Sequence, residues 1–120
     1  MFRFEKLDVW QKAVGLAGDV YNATRSFPSD ERFGLTAQMR RAAVSVSSNI
    51  AEGSGRSSDA DFSRFIEIAY GSLMEVVSQA MIAFRQTFLT EESLKMLYDN
   101  AEELARMLSG LRSRLRGNEN

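Results

Sequence analysis

The stretch Thr90–Arg116, TEESLKMLYDNAEELARMLSGLRSRLR, decides the fold. In it Leu94, Leu97, Ala101, Leu104, Leu108, Leu111 and Leu115 recur in alternating steps of three and four. That spacing stacks apolar side chains on one face of an α-helix. Thr90 stands where an N-cap belongs. Glu91 and Glu92 follow it, next to the positive end of the helix dipole. Arg112, Arg114 and Arg116 lie in the last turns, where cations complement the negative end. The pattern predicts a helix over 91–116 whose leucine stripe is core, with Gly117 to Asn120 fraying beyond it.

Three more helical patterns lie upstream. Phe62, Ile66, Ala69, Leu73, Val76, Ala80 and Phe84 define the third, with Ser58 and Asp61 resembling a capping box. It is expected over 59–88, about 30 residues or roughly 45 Å at 1.5 Å per residue, and longer than its neighbours. Leu35, Met39, Ala42, Val46 and Ile50 define the second, over 33–54. Ser29 or Asp30 is placed to cap a short turn ahead of it. Gly53 and Gly55 offer stops through left-handed backbone angles. Val9, Ala13, Leu16, Val20 and Ala23 define the first, over 8–26, with Asp8 as its N-cap and Trp10, Ala17, Tyr21 and Thr24 as an adjacent stripe. Pro28, the single proline, divides the first pattern from the second. Only Phe2 and Phe4 alternate with period two, which suggests a short arm over one end. Short loops favour antiparallel neighbours. The expected fold is therefore all-α: residues 1–120 form one domain, an antiparallel up-down-up-down four-helix bundle.

Composition excludes much chemistry. Apolar residues make up 44% and charged residues 26% of 120 residues, an ordinary globular balance. There is no cysteine and no histidine. Thiol catalysis, disulfides and the commonest general base and transition-metal ligand are absent. No apolar run approaches the ~20 residues that cross a bilayer. The segment Met1–Lys6 lacks the apolar core of a secretion signal. A cytoplasmic location without membrane contact is expected. Residues 1–60 carry 8 basic and 7 acidic side chains, and residues 61–120 carry 7 and 9. Such a balance is not the footprint of a strong, non-specific nucleic-acid binder. Yet twelve of fifteen cations are Arg, the residue suited to bidentate recognition of carboxylate or phosphate.

The middle of the chain resembles the four-helix-bundle 23S ribosomal RNA intervening-sequence proteins. The matching residues are Leu7, Trp10, Phe27-Pro28, Gly34-Leu35, Gln38 and Arg40-Arg41-Ala42-Ala43. Asn49-Ile50-Ala51-Glu52-Gly53 (NIAEG), Arg56, Phe62, Phe65, Ala69, Gly71-Ser72 and Glu75 complete the set. The match covers residues 4–85, and the fourth helix agrees only in pattern. Gln86-Thr87-Phe88-Leu89 replaces the Gly-Tyr-Leu turn expected after the third helix. The resemblance implies a cytoplasmic bacterial bundle without established catalytic activity. Relatives tend to form ring-like homo-oligomers, pentamers among them. Some are encoded inside insertions in ribosomal RNA genes. A distant relative, the accessory protein of diversity-generating retroelements, is a basic pentameric barrel that binds nucleic acid.

Two helix faces carry surplus patterning. Gln38, Arg41, Ser45, Ser48 and Glu52 form a small, hydroxyl-rich stripe on the second helix. It reads either as a solvated face or as a contact surface for another subunit or for phosphate. Phe65, Ile68, Ser72, Glu75 and Gln79 form its counterpart on the third helix. That stripe is a mate for the first, or the second buried side of a central helix. Gly53-Ser54-Gly55-Arg56-Ser57-Ser58 leads into a helix N-terminus. It is either a plain cap-to-cap loop or an anion site, in which Arg56 is the residue capping leaves unexplained. Glu52, Glu67 and Glu75 cannot build a Glu-x-x-His di-metal site without histidine. Pairing with Arg40, Arg41 or Arg64 suits them better.

The leading expectation is a non-catalytic homo-oligomeric interaction module. Its subunit contacts fall on Gln38, Arg41, Ser45, Ser48, Glu52, Phe65, Ile68 and Ser72. The alternative is an RNA- or DNA-binding protein that acts weakly through Arg40, Arg41, Arg56 and Arg64. No catalytic residue, metal, cofactor or small-molecule substrate is expected. Lys6, Lys12 and Lys95, the possible lysine bases for a serine nucleophile, lie outside the motif-rich middle.

Overall fold

A computed structural model describes residues 1–117. The apolar stripes become four helices: α1 Asp8–Thr24, α2 Leu35–Ser54, α3 Asp59–Arg85 and α4 Glu91–Gly117. Two short 3-10 turns, Arg3–Lys6 and Ser29–Glu31, precede α1 and α2. The described residues contain no strand. One core joins all four helices, with Leu16, Met39, Ile50, Phe62, Ile66, Leu73, Leu97, Leu104 and Leu108 as its largest enclosed side chains. Every residue of the core stripes read from α1 and α2 is buried except Ala23 and Leu35, which are half-buried against it.

Side-chain contacts give the helix directions. The Ser45–Ser72 hydrogen bond and the contact of Gly53 with Phe62 and Phe65 set α3 antiparallel to α2. Arg112 and Arg116 reach Glu67 near the start of α3, so α4 runs back along it. Lys12–Glu103 and Asp19–Asn100 align α1 with α4 in opposite senses. Arg40, early in α2, meets Tyr21 and Thr24 at the end of α1.

Several local expectations are corrected. Asp8 is the first helical residue, not the cap. Leu7 holds the cap position and no side chain satisfies the free amides there. Helix α1 ends at Thr24, whose hydroxyl turns back to the Val20 carbonyl at 2.8 Å. Pro28 leads into the Ser29–Glu31 turn, so neither Ser29 nor Asp30 caps it. Helix α2 begins at Leu35, where the Glu31 carboxylate accepts its N–H. Ser58 caps α3 and Thr90 caps α4, as the sequence reads. The α3 core stripe ends at Ala83; Phe84 is exposed. Helix α3 has 27 residues, the same as α4, so it does not outrun its neighbour. Helix α4 includes Gly117; the expectation of fraying at Asn118 to Asn120 lies outside the described residues.

The glycines and the α3 terminus exchange roles. No described glycine has a positive φ. Gly53 lies buried inside α2, where a Cβ would sit 2.7 Å from the Phe65 Cβ and 2.9 Å from the Phe62 ring. It serves close approach rather than helix termination. The left-handed residue is Thr87, at φ 67°. Its N–H bonds to the Phe84 carbonyl and the N–H of Phe88 to that of Ala83, the paired bonds that close a helix end. This is the turn where the chain departs from the expected glycine. A β-branched residue there is strained.

The aromatic arm folds as expected over one end. Phe2 stacks on Phe4, which meets Trp10 edge-on, and Arg3 lies 5.0 Å above the Phe62 ring. Among the described helices, α3 alone is long and apolar enough to cross a membrane by length and composition. Only 33% of that apolar window is buried in the bundle.

Candidate functional site: the outer faces of the bundle

The two polar stripes predicted on α2 and α3 form one continuous face. Ser45 and Ser72 share a hydrogen bond of 2.9 Å, and Asn49 donates to the Ser45 hydroxyl at 3.0 Å and its carbonyl at 2.8 Å. Ser72 is buried, Ser45 and Phe65 half-buried, and Gln38, Arg41, Ser48, Glu52 and Ile68 exposed. Above the serines an open cleft of about 390 Å³ runs between Gln38, Arg41 and Ala42 on one side and Glu75 and Gln79 on the other. Arg41 and Glu75 make no ion pair among the described residues. The buried side-chain oxygen of Gln79 accepts no hydrogen bond. A donor entering the cleft would satisfy it.

The candidate arginines do not converge. Arg40 donates to Thr24 at 2.9 Å and covers the Tyr21 ring at 4.6 Å. Arg56 folds back on Glu52 at 3.1 Å and lies 4.6 Å above Phe65, so the glycine-rich loop keeps its one cation turned toward α2. Arg64 pairs with Asp61 at 3.4 Å. Of the four, Arg41 alone is free of any partner among the described residues. The expected ion pairs are also redistributed. Glu67 takes Arg112 and Arg116 from α4, a pairing across helices that separation in sequence hid. Glu52 takes Arg56.

A second basic region was not anticipated. Lys6, Arg106 and Arg114 border an open cleft of about 420 Å³ at the start of α1, with Asp8 in its wall. The α1/α4 face is bridged by charge. Lys12 meets Glu103 at 2.9 Å and holds that carboxyl below the usual carboxylate range; Lys95, beside Asp99, is raised. Among the described residues, no three Asp or Glu side chains gather as a metal site would need.

Two apolar faces were also missed. On α3/α4, Tyr70, Met74, Val77, Tyr98, Ala101 and Ala105 line a groove of about 210 Å³ whose charged lining residue is Glu102. Met81, four residues after Val77, is exposed as well. The signal was present as Tyr70, Met74, Val77 and Met81, in steps of four, three and four. Across the bundle, Val14, Gly18 and Tyr21 of α1 are exposed, as is Val44 of α2. A Cβ at Gly18 would meet nothing. Glycine in an exposed helix interior costs about 1 kcal/mol relative to alanine, and no contact inside the chain requires it.

The fold and these faces define a class: an all-helical bundle whose features lie on helix faces rather than in an enclosed pocket. The chain belongs to the 23S rRNA-intervening sequence protein family, whose profile matches residues 5–110. It is similar in structure to a crystal structure of a protein with unknown function from the S23 ribosomal protein family, from Bacteroides thetaiotaomicron VPI-5482. The TM-score is 0.78 at 21% identity, covering 87% of this chain and 97% of that one. That likeness concerns the fold. No curated protein matches this chain.

Proposed function

We propose that this protein is a non-catalytic module that assembles with copies of itself in the cytoplasm, away from the membrane. A closed ring, five subunits among its forms, is what the family resemblance favours. The observation that carries the proposal is the uncovered apolar surface of α3. Ile68 and Ile82 are 52% and 49% exposed, and Met74 is 42% exposed. Exposed apolar side chains on both flanks of one helix, Ile82 toward α2 and Met74 toward α4, mark interaction surface. The lack of histidine and cysteine supports a role without chemistry. Light-scattering mass at micromolar concentration and moderate salt tests the assembly; a mass near 13.5 kDa, that of one chain, would refute it.

A second reading is weak binding of RNA or DNA. It is favoured by the unpaired Arg41 and by the cations around the cleft at Lys6, Arg106 and Arg114. Repeating the mass measurement with RNA at low and high salt separates the two readings. Each neutralised phosphate contributes about 0.7–0.9 to the log–log salt slope. No complex at low salt would eliminate nucleic acid.

A further inference from the structure

We propose that the α2/α3 cleft binds a free α-amino acid, its carboxylate on Arg41 and its ammonium group between Glu75 and Gln79. Such a site does not require the chain to assemble with copies of itself.

The antiparallel register of the two helices builds the site. The Ser45–Ser72 hydrogen bond, 2.9 Å long, forms its floor. About one turn away from that bond, Arg41 on α2 comes level with Glu75 on α3. A further turn along, Gln38 comes level with Gln79, and all four side chains line the cleft. Arg41 and Glu75 are both exposed, and neither makes an ion pair among the described residues. Opposite charges therefore face each other across an open cleft of about 390 Å³ without meeting.

A ligand must answer both walls. An anion alone is repelled by Glu75, and a cation alone by Arg41. A molecule that carries both charges gives each wall its complement. Arginine presents a planar fork that fits a carboxylate. An ammonium group has three donors. Glu75 accepts one of them. The side-chain oxygen of Gln79, which is buried and accepts no hydrogen bond, takes another. Buried polar atoms are almost always paired, and an ammonium donor supplies that pairing. An α-amino acid holds carboxylate and ammonium on one carbon, at the scale of a gap between neighbouring helices. The lining has no aromatic ring, so a nucleobase has nothing to stack on. Ala42 is its one apolar side chain, which favours a ligand with a short or polar side chain, the Gln38 amide beside it. Water reaches both charges, so binding is weak, in the millimolar range.

The test titrates the full-length protein with L-alanine, L-serine and L-glutamine, following the side-chain amide NMR signals of Gln38 and Gln79. Saturable shifts of these signals are expected with at least one of the three. The N-acetylated form of that amino acid lacks the ammonium group, and its carboxamide lacks the carboxylate. Each should bind the unaltered protein roughly 10-fold more weakly, as on losing one charge-assisted hydrogen-bonded contact. Arg41→Gln and Glu75→Gln then assign the two ends. Both side chains are exposed, so the fold should survive, which circular dichroism checks. In Arg41→Gln the penalty on the carboxamide should shrink to about 3-fold or less, and in Glu75→Gln the penalty on the N-acetylated form should do the same. No saturable shift with any of the three amino acids would overturn the site. Equal binding of the N-acetylated form by the unaltered protein would leave a plain anion contact and overturn the amino-acid assignment. Penalties that persist in both variants would overturn the roles of Arg41 and Glu75. A fall in light-scattering mass on Arg41→Gln would put a second chain in the cleft and overturn the proposal as well.

Discussion

Helix α3 belongs to two hairpins built on different principles. With α2 it packs through small residues: Gly53 against the Phe62 ring and the Phe65 Cβ, and the Ser45–Ser72 bond further along. Its turn into α3 is capped by the Ser58 hydroxyl. With α4 it is joined across the surface by Glu67 to Arg112 and Arg116, and the connecting turn carries strain at Thr87. The first hairpin gains its stability from close approach and pays for it in sensitivity to side-chain size. The second tolerates change because its cross-helix groove is open. Small residues set how near two helices come; long charged ones only bridge what is already near.

Four substitutions sharpen that contrast. Phe62→Ala removes a ring that is 1% exposed from the α2/α3 end of the core, and should cost about 3–5 kcal/mol in urea unfolding. A loss below about 1 kcal/mol would mean that this hairpin is not the tighter one. Gly53→Ala adds a methyl group where the nearest atom is a Cβ rather than a mobile tip. Overpacking of roughly 1–3 kcal/mol should outweigh the helix propensity gained. If alanine proves stabilising there, close approach is not what glycine supplies.

On the other hairpin, Thr87→Gly should raise stability by about 1 kcal/mol, because glycine accepts the left-handed angle that threonine resists. Thermal unfolding reads this directly, and a lower midpoint would count against strain at the turn. Smallest of all, Glu67→Gln should cost less than about 1 kcal/mol, since all three charged partners are partly solvated. That difference should shrink as salt is added. A cost that ignores salt would make the pair structural rather than electrostatic.

Much of this was legible in the chain. The leucine ladder of α4 and the stripes of α1 to α3 named most of the core, because apolar residues at 3.6-residue spacing gather on the one face that a bundle covers. Helix ends were less legible. Asp8 carries the residue type of an N-cap but is the first helical residue, and Gly55 does end α2, with right-handed rather than left-handed angles. Gly53 looked like a stop because a glycine spared for contact and one spared for its φ are identical letters.

What the sequence determined by itself was the class of fold and the membership of its core. It also excluded thiol and imidazole chemistry, since residue identity needs no coordinates. Tertiary structure alone decided which charges meet. Arg116 finds Glu67 at a separation of 49 residues, while Arg40, expected to pair with a carboxylate, covers the Tyr21 ring. It also decided which apolar residues remain uncovered. A stripe on one helix predicts that side chains share a face, whereas burial depends on the neighbour that the packing angle brings over it.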